Sequence, residues 1–180
     1  MKRTLIFIFL MFSIASFAMA QGTLHVVYAL YDNNTDVLKL ENNLKNAIEQ
    51  YKNDSFVLYY SDVTPLTMDK SNYSEERLSN TILSNNSTYS ITPRKEINGV
   101  SALLERNYKG EDVVVECFVS DEFFDNDYHN SVIAHFLIEN GFQNNPSVSV
   151  NYHICGGTVQ AIKTKFEDRY NIKNNTTIVD

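Results

Sequence analysis

Three apolar runs in this 180-residue chain close on aspartate, as Tyr31-Asp32, Ser61-Asp62 and Ser120-Asp121. Carboxylates gathered at one place suit a hard cation with oxygen ligands, Mg²⁺ or Ca²⁺. Asp32-x-Asn34-x-Asp36 adds two further oxygen-bearing side chains at alternate positions. As a helix-loop-helix calcium loop this stretch fails, because Val37 stands where the turn glycine belongs and Asn43 where the closing glutamate belongs. An aspartate after a strand also starts turns and caps helices. Local structure therefore accounts for any one of them, and only the recurrence at three strand ends points to a shared site.

A second group is His153-x-Cys155-Gly156-Gly157-Thr158. A cysteine between a strand end and a helix start can have its thiolate favoured by backbone amides. His153, two residues back on the same strand face, could serve as its base. A buried thiol beside a glycine turn is the plainer account, and no arginine follows as cysteine-phosphatase chemistry would need. The third group is the segment from Asp121 to His129, which holds Phe123, Phe124 and Tyr128 among four acids. Aromatics in a polar loop can anchor a partner, or fold beneath the loop as a small core. His25, His129 and His135 lack metal-ligand spacing with one another.

These residues sit on elements that the hydrophobic pattern outlines. Apolar runs at 24–31, 56–60, 113–119 and 148–154 read as strands, with 176–179 a weaker fifth. Between them the period lengthens. Val37, Leu40, Leu44, Ala47, Ile48 and Tyr51 mark a helix capped by Thr35 or Asp36. A short helix is expected from Ser74 to Leu83, one opened by Thr92-Pro93, one from Ser131 to Glu139, and one from Thr158 to Tyr170. Residues 63–92 are otherwise the least regular part, with 88–91 a candidate edge strand. Alternation of strands and helices predicts an α/β fold, a three-layer Rossmann-like domain whose mainly parallel sheet is flanked by helices. In such sheets ligands bind at the carboxyl ends of the strands, near the switch point, where Asp32, Asp62 and Asp121 would lie.

The order of elements and the spacing of Asp32, Asn34 and Asp36 resemble the von Willebrand factor A family. Members of that family carry Asp-x-Ser-x-Ser after the first strand, a threonine from a middle loop and an aspartate after the fourth strand. Together these hold a divalent ion that grips a partner's carboxylate. The resemblance puts Asp32, Asn34 and Asp36 in the first motif, with Asn34 and Asp36 in place of the serines. It puts Thr92 and Asp121 in the other ligand positions.

The N-terminus is a secretory leader by pattern: Lys2-Arg3, an apolar run from Leu5, and Ala18-Met19-Ala20 before Gln21. Residues 1–20 are expected to be a signal peptide and 21–180 a single α/β domain. The apolar run is too short for a stable membrane span, and cleavage would remove it. The formal net charge is −7 and no basic run follows the leader. Nucleic acid is disfavoured as a partner, and so is docking on anionic lipid. Cys117 and Cys155 allow one disulfide or two buried thiols. The expected function is a binding or interaction domain of the bacterial cell envelope, periplasmic or extracellular. Its ligand face would be the strand-end rim with Phe123-Phe124 beside it, and its partner another envelope protein or a small ligand. The competing expectation is a small hydrolase using a rim metal, or Cys155 with His153.

Overall fold

The computed structural model describes residues 22–62, 64–84, 93–125, 127–157 and 174–179. The expected leader, the segment 88–91, Thr92 and the helix from Thr158 lie outside the described residues. Among the described residues six strands form one sheet: β1 (Thr23–Leu30), β2 (Ser55–Ser61), β3 (Leu66–Asp69), β4 (Asp112–Val119), β5 (Val148–Ile154) and β6 (Asn175–Val179). Their order is β3-β2-β1-β4-β5-β6. β1 runs parallel to β2 and β4, β5 parallel to β4 and β6, and only β3 is antiparallel, against β2. The strands are joined by α1 (Val37–Gln50), α2 (Glu75–Leu83), α3 (Pro93–Asn107), the one-turn α4 (Glu122–Asp125) and α5 (Asp127–Glu139). A six-stranded, mostly parallel sheet between helices is the α/β fold the pattern predicts.

The continuous apolar run of β1 reflects burial on both faces. Leu24, Val26, Tyr28 and Leu30 join α3, α5 and alternate residues of β4 and β5 in one core. Val27 and Ala29 face the other core, with Leu40, Leu44, Ile48, Leu78 and Ile82 from α1 and α2. Asp36 caps α1 by accepting from Lys39 N at 3.0 Å, and Ser74 caps α2 through Arg77 N at 3.2 Å. These caps fix where each chain segment leaves the sheet.

Two expectations change. The irregular stretch after Ser61 contains the edge strand β3, whose four residues alternate buried and exposed and carry too little apolar length to stand out. The aromatic loop after β4 is not an exposed surface. Phe123 and Phe124 sit on α4 at 1% and 5% exposure. Phe123 packs against Tyr28 and Tyr152, and Phe124 meets Tyr152 edge-on at 5.1 Å. Burial of two large rings outweighs their place in an acidic segment. The side chain of Tyr128, the third member of that group, lies outside the described residues.

Candidate functional site

The sheet order reverses between β1 and β4, so the loops after these strands part there and leave a crevice at the carboxyl ends. Register carries Asp32 and Asp121 to that crevice: Ala29 pairs with Phe118, three residues before Asp32 and Asp121 respectively. Asp32 Oδ1 accepts from the Asn34 amide at 3.0 Å and from the Thr35 hydroxyl at 2.9 Å. Thr35 Oγ1 in turn accepts from Asp32 N at 2.9 Å. Asp32 Oδ2 accepts from Ser120 Oγ at 2.8 Å, across the crevice. Asn34 Nδ2 then donates to Asp121 Oδ1 at 3.2 Å. The β1 and β4 loops are thus laced together by side chains.

The turn after β5 closes the third side. Asp36 N donates to Cys155 O at 2.7 Å and Asp121 N donates to Gly156 O at 3.1 Å. The two glycines are required by proximity. A Cβ on Gly156 would lie 2.0 Å from Asn34 O, and one on Gly157 would lie 1.9 Å from the Asp121 carboxyl carbon. Gly157 also has φ +75°, a left-handed conformation that side chains disfavour. Next to this rim, Glu122 Oε2 is buried and has no hydrogen-bond partner among the described residues, while its backbone N–H donates to Ser120 Oγ at 3.0 Å.

Of the residues expected to share a metal, the structure brings together Asp32, Asn34 and Asp121. Asp36 is engaged as the α1 cap, and Asp62 follows β2, which β1 separates from β4. Ser61, its neighbour, turns inward and donates to Glu96, a fully buried carboxylate that also accepts from Tyr28 Oη at 3.2 Å. Among the described residues no group of three or more His, Cys, Asp or Glu side chains is placed to hold a metal ion. Asp32 has both oxygens occupied by protein donors, and the amide of Asn34 offers Asp121 a donor. The described rim thus ties its carboxylates to protein donors, and Thr92, the middle-loop ligand expected beside them, lies outside the described residues.

The Cys155 group is inert by environment. Cys155 is fully buried, and burial pushes its thiol up to about 11, against the opposing pull of a hydrogen bond from Asn43 and the charge of Lys39. A nucleophilic cysteine needs the reverse, a stabilised and reachable thiolate. His153 is turned to other work, its Nε2 lying 2.8 Å from Glu116 Oε2. The two thiols are free and buried on opposite sides of the sheet, Cys117 with α3 and α5 and Cys155 with α1.

Ser120, Thr35 and the glycine pair were not singled out as rim residues by type. A serine immediately before a strand-end aspartate, seen twice, was the available signal.

No family model and no curated protein matches the chain. Solved structures do. An aerotolerance-related membrane protein from Bacteroides fragilis NCTC 9343, determined with multiple mutations to serines, aligns at TM-score 0.54 and 11% identity, over 88% of this chain and 92% of that one. A conserved hypothetical protein, BatB, from Bacteroides thetaiotaomicron aligns at TM-score 0.50 and 9% identity, over 88% and 90%. At such identities the likeness is one of fold: this chain has the α/β architecture of those two proteins.

Proposed function

We propose that the chain is an exported binding domain of the bacterial cell envelope whose ligand face is the rim built by Asp32, Asn34, Ser120 and Asp121. The observation that carries this reading is the convergence of three loops at the switch point, tied by Ser120–Asp32 and Asn34–Asp121 and closed by Gly156-Gly157. Ligands of doubly wound sheets bind there. The acceptor on Glu122, unmet among the described residues, supports it, since a buried oxygen without a donor can be met by a ligand N–H or O–H. The location rests on the leader at 1–20, with mature residues from Gln21, and agrees with one solved structure of like fold, the aerotolerance-related membrane protein.

The domain is read as von Willebrand factor A-like. Asp32, Asn34 and Asp36 follow the first strand, and β3 makes the strand before Asp121 the fourth, as that family's pattern asks. The ion is the separable part of this reading, because the described donors do not form its site. Recognition is assigned to the rim's own carboxylates, amide and hydroxyl, which suit the N–H and O–H groups of a small ligand or of another envelope protein.

The test is co-isolation of tagged protein from bacterial envelopes, for wild type, Asp121→Asn and Asn34→Ala, in buffer with Mg²⁺ or Ca²⁺ and in chelator. Both variants should lose the bound species while unfolding within a few degrees of wild type. Undiminished co-isolation overturns the rim. Loss in chelator alone would restore an ion to it.

A further inference from the structure

A second concave site lies between α1 and β5, and nothing in the rim reading uses it. β5 alternates strictly, with Val148, Val150, Tyr152 and Ile154 buried and Ser149, Asn151 and His153 only partly buried. A parallel strand covered on both faces reads as continuously apolar. β5 therefore keeps one face for polar contact, the face towards α1. Between that face and α1 is a cavity of about 380 Å³, within the range of about 300–1,000 Å³ usual for small-molecule sites.

We infer that this cavity binds a small, neutral, polyhydroxylated ligand of the saccharide class. Four amides line it: Asn43, Asn46 and Gln50 from α1 and Asn151 from β5. Each amide is both donor and acceptor, which matches hydroxyl groups, themselves both. Ala47 and Val179 supply apolar wall for a ring's C–H face, Val179 being 39% exposed. No lysine or arginine is among the described residues that line the cavity, so a carboxylate or phosphate finds no counter-charge there.

An organic cation is disfavoured for a different reason. The charged group of the cavity is Glu116, 4% exposed in the middle of the sheet. Its oxygens are already met by His153 Nε2 at 2.8 Å and His25 Nδ1 at 3.3 Å, with Asn151 and the Tyr51 hydroxyl also bonded to it. The carboxylate thus holds four neighbours in place and keeps little capacity for an ammonium. His25 and Tyr51 stack at 3.7 Å, and His153 stacks on Phe118 at 4.2 Å, so the polar groups are fixed before any ligand arrives. Fixed polar groups lower the entropic cost of binding.

The experiment is saturation-transfer NMR on the mature protein at millimolar probe concentration. The probes are glucose, galactose, N-acetylglucosamine and myo-inositol, with putrescine and citrate as charged controls. At least one neutral probe should show transfer, and neither control should. Asn46→Leu and Gln50→Leu alter the exposed wall without touching the Glu116 network, and each should weaken that probe roughly tenfold, about 1.4 kcal/mol, at unchanged melting temperature. Asp121→Asn should leave it bound, which separates this site from the rim. The inference is overturned if all four neutral probes are silent, if putrescine or citrate binds instead, or if the wall variants retain full affinity.

Discussion

Glu116→Gln is the most informative single change, because it tests a charge that the fold buries at some cost. Burial acts to raise the Glu116 pKa, but hydrogen bonds from His153 and His25, the charge of His153 and a bond from Asn151 outweigh it and bring it down to about 2 from 4.5. A carboxylate lowered that far contributes roughly 3 kcal/mol to stability, at about 1.4 kcal/mol for each pH unit. The sign follows from the depressed value. The contribution is complete above about 4.5 and is lost as pH falls towards about 2. Glutamine removes the charge and turns an NH₂ towards imidazole donors, so the variant should be less stable at neutral pH by about 2–4 kcal/mol. Against a domain stability of about 5–15 kcal/mol, it should still fold. Urea unfolding followed by circular dichroism, at neutral pH and at steps down the acid limb, gives both quantities. Wild type should weaken across the interval from about 4.5 to about 2, and Glu116→Gln should weaken much less there. Equal midpoints at neutral pH, or the same acid slope in both proteins, would refute the ionised, four-fold bonded Glu116.

Other outcomes follow from single residues. Gly157→Ala forces a left-handed φ of +75° and a Cβ into the Asp121 carboxylate, and should cost about 1–3 kcal/mol in chemical denaturation. Phe123→Ala should cost about 3–5 kcal/mol, as truncation of a core ring does; a change near zero would return Phe123 to the surface. Val115→Asp, at a position with no exposure, should prevent accumulation of folded protein, because an unpaired buried charge is among the most damaging changes. Cys155 should resist iodoacetamide in native buffer and react in urea, since a buried thiol raised to about 11 is neither accessible nor ionised. Native labelling would reopen the nucleophile reading.

Much of the fold was legible because burial on both faces writes itself into β1, β2 and β4 as unbroken apolar runs, and the three-four spacing of Leu40, Leu44 and Ile48 separates helix from strand. β3 was not legible: four residues at a sheet edge bury only Leu66 and Met68. The positions of Asp32 and Asp121 could be read, since strand ends on one side of a parallel sheet must share a rim. Their bonds to Ser120 and Asn34 could not, because loop closure depends on long-range register. The aromatics of α4 stayed ambiguous for a related reason. Among neighbouring acids they could anchor a partner or form a small core, and what decides it, the core supplied by Tyr28 and Tyr152, is distant in sequence. Glu116 carried a signal that went unused, a carboxylate in the strongest strand, which only a buried polar network explains.

The central claim, that the carboxyl rim is the face that meets a ligand, is tested most directly by site-specific photocrosslinking in cells exporting the protein. Leu38, in the first turn of α1 beside the rim and 64% exposed, takes the photoreactive residue in one strain. Lys109, exposed before the start of β4 at the opposite end of the sheet, takes it in another. The account predicts a discrete adduct from position 38 that Asp121→Asn abolishes, and none from position 109. An adduct from position 109 alone, or one from position 38 that survives Asp121→Asn, would contradict it.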